Sequence, residues 1–197
     1  MSRRTFDVVA AAAALVLASP ILLAAVVAIR LESRGPAVFR QRRVGRDGEP
    51  FDLLKLRTMV TGAEGLGRGL AVVEGDPRIT RVGRLLRRTS IDELPNLVNV
   101  LLGDMSIIGP RPTVPVQVER YTERQRGRLS VKPGITGWAQ VHGRTSLPWA
   151  DRIELDVWYV EHRDWKTDLL ILLRTPLALF GGTYKGARGG WTGGSSS

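Results

Sequence analysis

Residues 89 to 112 read TSIDELPNLVNVLLGDMSIIGPRP, and their order of signals decides how the chain is organised. A polar start, Thr89-Ser90, leads into the adjacent acids Asp92-Glu93. An apolar run with helical spacing follows, and after it come a short β-branched stretch and the rigid turn Gly109-Pro110-Arg111-Pro112. Ser90 and Glu93 satisfy a capping-box pattern. Asp92 is the alternative N-cap, since Pro95 then falls at the third helical position, where no intrahelical donor is lost. Either start predicts a helix from about Asp92 to Leu102, with both carboxylates at its positive end. Such a pair is more often a cap than a catalytic dyad. Arginine surrounds it, however: Arg81, Arg84, Arg87 and Arg88 precede it and Arg111 follows. That cationic field is expected to keep Asp92 ionised and usable as a nucleophile or metal ligand. Arginine in this density suits phosphate.

The surrounding composition agrees with an anionic partner. The chain has 197 residues, room for one domain with a real core, and a net charge of +10. It has no cysteine, which excludes disulfides and thiolate metal sites. Aromatics are 6% and do not alternate with basic residues as on a base-stacking surface, but composition alone leaves nucleic acid, an anionic membrane and a phosphorylated substrate all open as partners. His142 and His162, the two histidines, stand 20 residues apart with no metal-ligand pattern.

Upstream, Val8 to Ile29 carries no charge, and its one polar side chain, Ser19, precedes Pro20. As a helix it would be roughly 33 Å long, enough for the hydrocarbon core. A kinked span and a re-entrant helix–break–helix both fit. Pro20 frees a carbonyl that Ser19 can bond. Arg3 and Arg4 at one end and Arg30 and Arg34 at the other place both ends on the positive side.

Between this segment and the acidic pair, Ala37 to Leu56 predicts a β-hairpin turning at Asp47-Gly48. It exits through Lys55-Leu56-Arg57-Thr58, two cations and a hydroxyl suited to a diphosphate. Gly62 to Gly75 reads as a loop, and Ile79 to Arg88 as a basic helix with Ile79, Val82, Leu85 and Leu86 on one face. Further on, Arg120 to Arg128 reads as a solvated charged face. Trp149, Ile153, Val157 and Val160 recur at helical spacing, and Asp168 to Phe180 follows as the second of two amphipathic helices suited to a membrane interface. Gly186 to Ser197 is a Gly/Ser-rich tail.

Singly these features are weak; together and in order they resemble the bacterial sugar transferase family of monotopic polyprenyl-phosphate phosphoglycosyl transferases. The likeness runs from Phe6 to about Leu173 through FDVVAAAAALVLASPILL, SRGPAVFRQRRVG, FDLLKLRTM, the block from Asp76 to Pro112, and VKPGITGWAQVHGR. Leu56, Ile91 and Asn96 depart mildly from the family's usual Phe, Leu and Gln.

The resemblance implies an α+β, mainly helical, membrane-monotopic fold: a re-entrant helix over 1–34 broken at Ser19-Pro20, a catalytic domain over 35–182 with a small β-hairpin and interfacial amphipathic helices, and a disordered tail over 183–197. It implies the minimal catalytic form, without the extra membrane domain of larger relatives. The implied reaction moves sugar-1-phosphate from a UDP-sugar to polyprenyl (undecaprenyl) phosphate and releases UMP through a phosphoaspartyl intermediate. It would be the first membrane step of glycoconjugate or exopolysaccharide synthesis, at the cytoplasmic face of the bacterial inner membrane. Asp92 would be the nucleophile and a Mg²⁺ ligand. Glu93 would assist by proton transfer or positioning. Lys55, Arg57, Thr58, Arg87, Pro110, Arg111, Pro112 and Arg144 would bind substrate. The resemblance implies a membrane lipid partner and no nucleic acid, and lipid-exposed helices allow a homodimer. The rival reading is a membrane-tethered, non-enzymatic binder of anionic lipid or nucleic acid, which leaves the acidic pair and the rigid turn unexplained.

Overall fold

The computed structural model describes residues 2–66, 72, 75–143 and 147–180. Arg144, half of the glycine-rich loop and the Gly/Ser tail lie outside these residues. The chain is mainly helical, with two small two-stranded sheets.

The first helix, α1 (Arg3–Glu32), is long and apolar enough to cross a membrane, with a mean hydropathy of 2.6 in its most apolar window. It is assigned as one continuous helix through Pro20, so the expected break is not an interruption of helical structure. The reason is local: the Ser19 hydroxyl donates to the Val16 carbonyl at 2.7 Å, the acceptor that proline leaves without its amide partner. One stripe of α1 (Asp7, Ala11, Ala25, Ile29) is buried against the body of the protein, while Val16, Leu17, Ile21, Leu23 and Leu31 are exposed.

Both ends of α1 are tied to that body by charge. Arg4 donates to the carbonyls of Val100 and Leu101 at 2.6 and 2.8 Å, and Asp7 accepts from Ser106 Oγ and the Ile107 amide. At the other end Glu32 accepts from the amides of Arg81 and Val82, the open first turn of a helix. Arg57 donates to the carbonyls of Ser33 and Arg34, just past the end of α1.

The hairpin forms as the sequence predicts. Strands β1 (Val38–Val44) and β2 (Pro50–Leu56) pair antiparallel, and Asp47 and Gly48 adopt the positive φ values that the turn requires. On β2, Phe51 and Leu53 point inward and pack with Ala11, Leu97, Val100 and Met105. Period-2 alternation puts Lys55 on that same inner face.

Helix α2 (Arg81–Thr89) approaches the chain after β2 so closely that a Cβ on Gly83 would lie 2.0 Å from the Thr58 carbonyl oxygen. Leu86 is buried with Ala25, Ile29 and Leu56, but Leu85 faces out and Ile79 pairs with Met59 in an isolated bridge, so only part of the expected apolar face is used.

The next turn corrects the capping prediction. Ser90 takes a left-handed conformation (φ 57°) that ends α2 and makes no side-chain cap. Ile91–Glu93 is a single 3-10 turn, and α3 (Asn96–Leu102) begins four residues after Asp92. The chain has to reverse between two helices here, and the tight turn does so. From α3, Asn99 reaches the edge of β2, accepting from the Leu54 amide and donating to the Asp52 carbonyl.

Strand β3 (Ser106–Ile108) pairs parallel with β4 (Gly134–Thr136). Gly109 and Gly134 meet backbone to backbone; a Cβ on Gly134 would come within 2.1 Å of the Gly109 nitrogen. Between these strands lie α4 (Pro115–Val118) and α5 (Glu123–Arg126). After β4 come α6 (Trp138–Val141), α7 (Trp149–Glu161) and α8 (Trp165–Phe180). Ile153 and Val157 on α7 pack with Tyr121, and Tyr159 packs with Ile108 and Ile171 of α8. Trp165, Leu169, Leu173 and Leu177 form an exposed stripe along α8.

Candidate active site

Three segments distant in sequence converge on the 3-10 turn. The inner face of β2 supplies Lys55, the turn after β3 supplies Arg111, and α2 supplies Arg87. Lys55 Nζ lies 2.8 Å from Glu93 Oε1, and Arg111 Nη2 lies 2.6 Å from the same oxygen. Glu93 is therefore held between two cations in a largely buried position, and they keep its carboxyl far below the usual carboxylate range despite the opposing effect of burial.

Asp92 behaves oppositely. It is 9% exposed, and its carboxylate makes no hydrogen bond or ion pair among the described residues. Burial first, and the adjacent negative charge of Glu93 second, raise its pKa from the ordinary 3.8 to about 6; Lys55, Arg87 and Arg111 offset only part of this. The sequence-based expectation that the arginine field holds Asp92 ionised is thus corrected in its cause and its degree. Lys55 and Arg111 are spent on Glu93, and Asp92 is a higher-energy carboxylate that still ionises at neutral pH.

Arg87 projects one turn beyond Gly83. Its Nε donates to Thr58 Oγ1 at 2.8 Å, while its terminal nitrogens have no hydrogen-bond partner among the described residues. Thr58 therefore orients an arginine toward Asp92 from a buried position.

Arg57 does not join this group. It is buried, with its terminal nitrogens on Ser33, Arg34 and Thr61, so the proximity in sequence that made it a substrate-binding candidate reflects an anchor for the end of α1. Pro110 accepts the Gly134 amide and Pro112 accepts from Arg43, so both prolines fix the backbone that carries Arg111. Arg144 lies outside the described residues.

Sequence reasoning missed what stands behind Arg111. The charged run ending at Arg128 is not simply a solvated face: Arg128 is buried and pairs with Asp156 of α7, the Tyr121 hydroxyl and the Arg111 carbonyl. Asp156 and Tyr159 carry no local signal beyond an acid and a phenol on the inner stripe of an amphipathic helix. Both histidines, as expected, are structural or exposed: each Nδ1 lies 2.9 Å from the carbonyl of the tryptophan four residues before it.

Among the described residues no three acidic or histidine side chains gather into a metal cage. Asp92, whose carboxylate has no partner among the described residues, is the side chain here that could hold a Mg²⁺.

A family model described as bacterial sugar transferase matches residues 1–182. The uncharacterised sugar transferase EpsL of Bacillus subtilis is 45% identical over 173 residues, covering 88% of this chain and 84% of the relative. The UDP-glucose:undecaprenyl-phosphate glucose-1-phosphate transferase of Caulobacter vibrioides is 47% identical over 183 residues, covering 89% and 68%. The undecaprenyl-phosphate galactose phosphotransferase of Salmonella typhimurium is 39% identical over 187 residues; the match takes in 88% of this chain but 39% of that longer protein.

Proposed function

The chain belongs to the bacterial sugar transferase family, and from that premise we propose that it transfers sugar-1-phosphate from a UDP-sugar to undecaprenyl phosphate. The observation that carries the mechanism is the division of labour in the acidic pair: Glu93 neutralised by Lys55 and Arg111, Asp92 buried beside it without a partner among the described residues.

Asp92 attacks the sugar-linked phosphorus. The bond from that phosphorus to the oxygen bridging it to the UMP phosphate breaks, UMP leaves, and a phosphoaspartyl enzyme remains. A phosphate oxygen of the lipid acceptor then attacks the same phosphorus and returns the Asp92 carboxylate, giving ping-pong kinetics. Glu93 acts by position: held ionised well below neutrality, it takes no proton, but it aims Lys55 and Arg111 and destabilises the neighbouring carboxylate. The Arg87 terminal nitrogens and the outer edge of Arg111 stabilise phosphoryl oxygens as charge redistributes. Asp92 would hold a Mg²⁺, which would supply the charge neutralisation that lets a carboxylate approach an anion.

The same reading makes α1 a re-entrant membrane anchor. Arg4 and Glu32, at its two ends, both bond elements that flank the acidic pair, so support for both ends lying on one membrane face comes from the protein's own ion and helix-end contacts. With the stripe of α8, this suits a monotopic enzyme at the cytoplasmic face of the inner membrane, where the acceptor's phosphate lies at headgroup level. The relatives' names include both glucose and galactose, so the sugar is best found by screening.

The test is UMP release from a panel of UDP-sugars, with undecaprenyl phosphate and Mg²⁺, together with protein labelling by donor carrying radioactive β-phosphate. Asp92→Asn should give neither UMP nor label. UDP-sugar binding by the wild-type chain with no UMP from any donor would return the non-enzymatic reading.

A further inference from the structure

Beside Arg111 the structure carries more positive charge than its own acids neutralise. Arg43, Lys55, Arg87, Arg111, Arg128 and Arg152 surround Asp92, Glu93 and Asp156. Most of these cations are engaged. Lys55 holds Glu93, Arg128 holds Asp156, and Arg43 donates to Pro112 and Gln41.

Arg152 is different. It lies in the first turns of α7, one turn before Asp156, yet it does not pair with that acid, whose Oδ2 is held by Arg128. Its side chain makes no hydrogen bond or ion pair among the described residues. Its Nε is buried and unpartnered, as are the Nε atoms of Arg43 and Arg128 and Oδ1 of Asp156. Buried donors are almost always satisfied, so the unpartnered Nε of Arg152 points to a missing acceptor. Arg152 is half-buried rather than enclosed, so the outer part of its guanidinium remains open to a ligand. Burial and the charges of Arg111 and Arg128 disfavour its cationic form, a cost that an anion would remove.

We propose that Arg152 is a third phosphate-binding arginine of the active site, acting with Arg87 and beside Arg111 on a phosphoryl group of the substrates. This rests on the transferase reading given above. The ligand chemistry is a phosphate mono- or diester anion, and two sources supply it, the diphosphate of the nucleotide sugar and the phosphate of the lipid acceptor. A planar guanidinium suits either, because its two outer nitrogens match two phosphoryl oxygens.

The test uses the full chain in lipid nanodiscs, with a UDP-sugar from which the wild type releases UMP and with undecaprenyl phosphate. In ping-pong kinetics, kcat/KM for the donor reports the first half-reaction and kcat/KM for the acceptor reports the second. Arg152→Gln should lower at least one of these on the order of 10- to 100-fold, the effect of losing a hydrogen bond to a charged group, with Tm unchanged. Arg152→Lys should restore part of the loss.

A fall for the donor alone assigns the nucleotide diphosphate, and a fall for the acceptor alone assigns the lipid phosphate. A fall in both at constant Tm assigns the transferred phosphoryl group, which both half-reactions share. Unchanged values overturn the proposal, and so does a parallel fall accompanied by a lower Tm, since that is what a structural residue gives. Absence of UMP from the wild type with every donor refutes the transferase reading instead.

Discussion

Asp92→Asn should stabilise this protein while abolishing its turnover. The carboxyl makes no hydrogen bond or ion pair among the described residues, so an isosteric amide loses no partner. What it removes is a buried charge beside Glu93. The rise from 3.8 to about 6 converts, at 1.36 kcal/mol per tenfold change, to roughly 3 kcal/mol by which the folded state resists ionising Asp92. The sign follows from the raised value. Protonated Asp92 is compatible with the fold below about 3.8, and that stability is lost as pH rises through about 6. The variant, which mimics the protonated form, should match the wild type near pH 4 and exceed it above pH 7. For a chain of this length the gain at pH 8 amounts to about 6–12 °C in apparent Tm. Differential scanning fluorimetry from pH 4 to pH 8, in one detergent and without substrate, reads it directly. A variant no more stable than the wild type at pH 8 would refute the picture of a strained, unpaired carboxylate.

Three further outcomes follow from the same geometry. Donor kcat/KM should fall about tenfold per pH unit below pH 6 as Asp92 protonates, and Glu93→Gln should move that limb to lower pH by removing the adjacent charge and freeing two cations; a limb that stays in place would contradict the positional role of Glu93. Arg128→Met should destabilise the fold by about 3–5 kcal/mol in denaturant titration because Asp156 stays buried without its cation, and Arg128→Met/Asp156→Leu should recover most of that loss. Gly83→Ala should cost about 1–3 kcal/mol and lower kcat as well, since the new methyl meets the Thr58 backbone 2.0 Å away and must push α2, with Arg87, off its position; normal activity in a folded variant would separate Arg87 from the chemistry.

Much of this molecule was legible in the chain because the deciding signals are local. Charge-free length marks α1, Asp47-Gly48 marks the hairpin turn, and helical spacing of Trp149, Ile153 and Val157 marks the inner face of α7. Even the repair of the proline gap was readable, because Ser19 and Val16 are three residues apart. The order of motifs, in addition, gave the family and the acidic pair.

Local reasoning failed where the partner comes from elsewhere. Ser90–Glu93 has the letters of a capping box, but the need to turn between two packed helices imposed a 3-10 turn. Arg57 and Arg87 are both arginines near the acids in a motif-rich stretch; one anchors α1, and the other has its outer nitrogens open toward Asp92. By itself the sequence determined the family and which charged residues are candidates for its chemistry. Tertiary structure alone decided how the charge is shared, giving Lys55 and Arg111 to Glu93, Arg128 to Asp156, and nothing to Asp92 or Arg152 among the described residues. The reason is physical: pairing depends on angstrom distances and on burial, and neither is set by spacing along the chain.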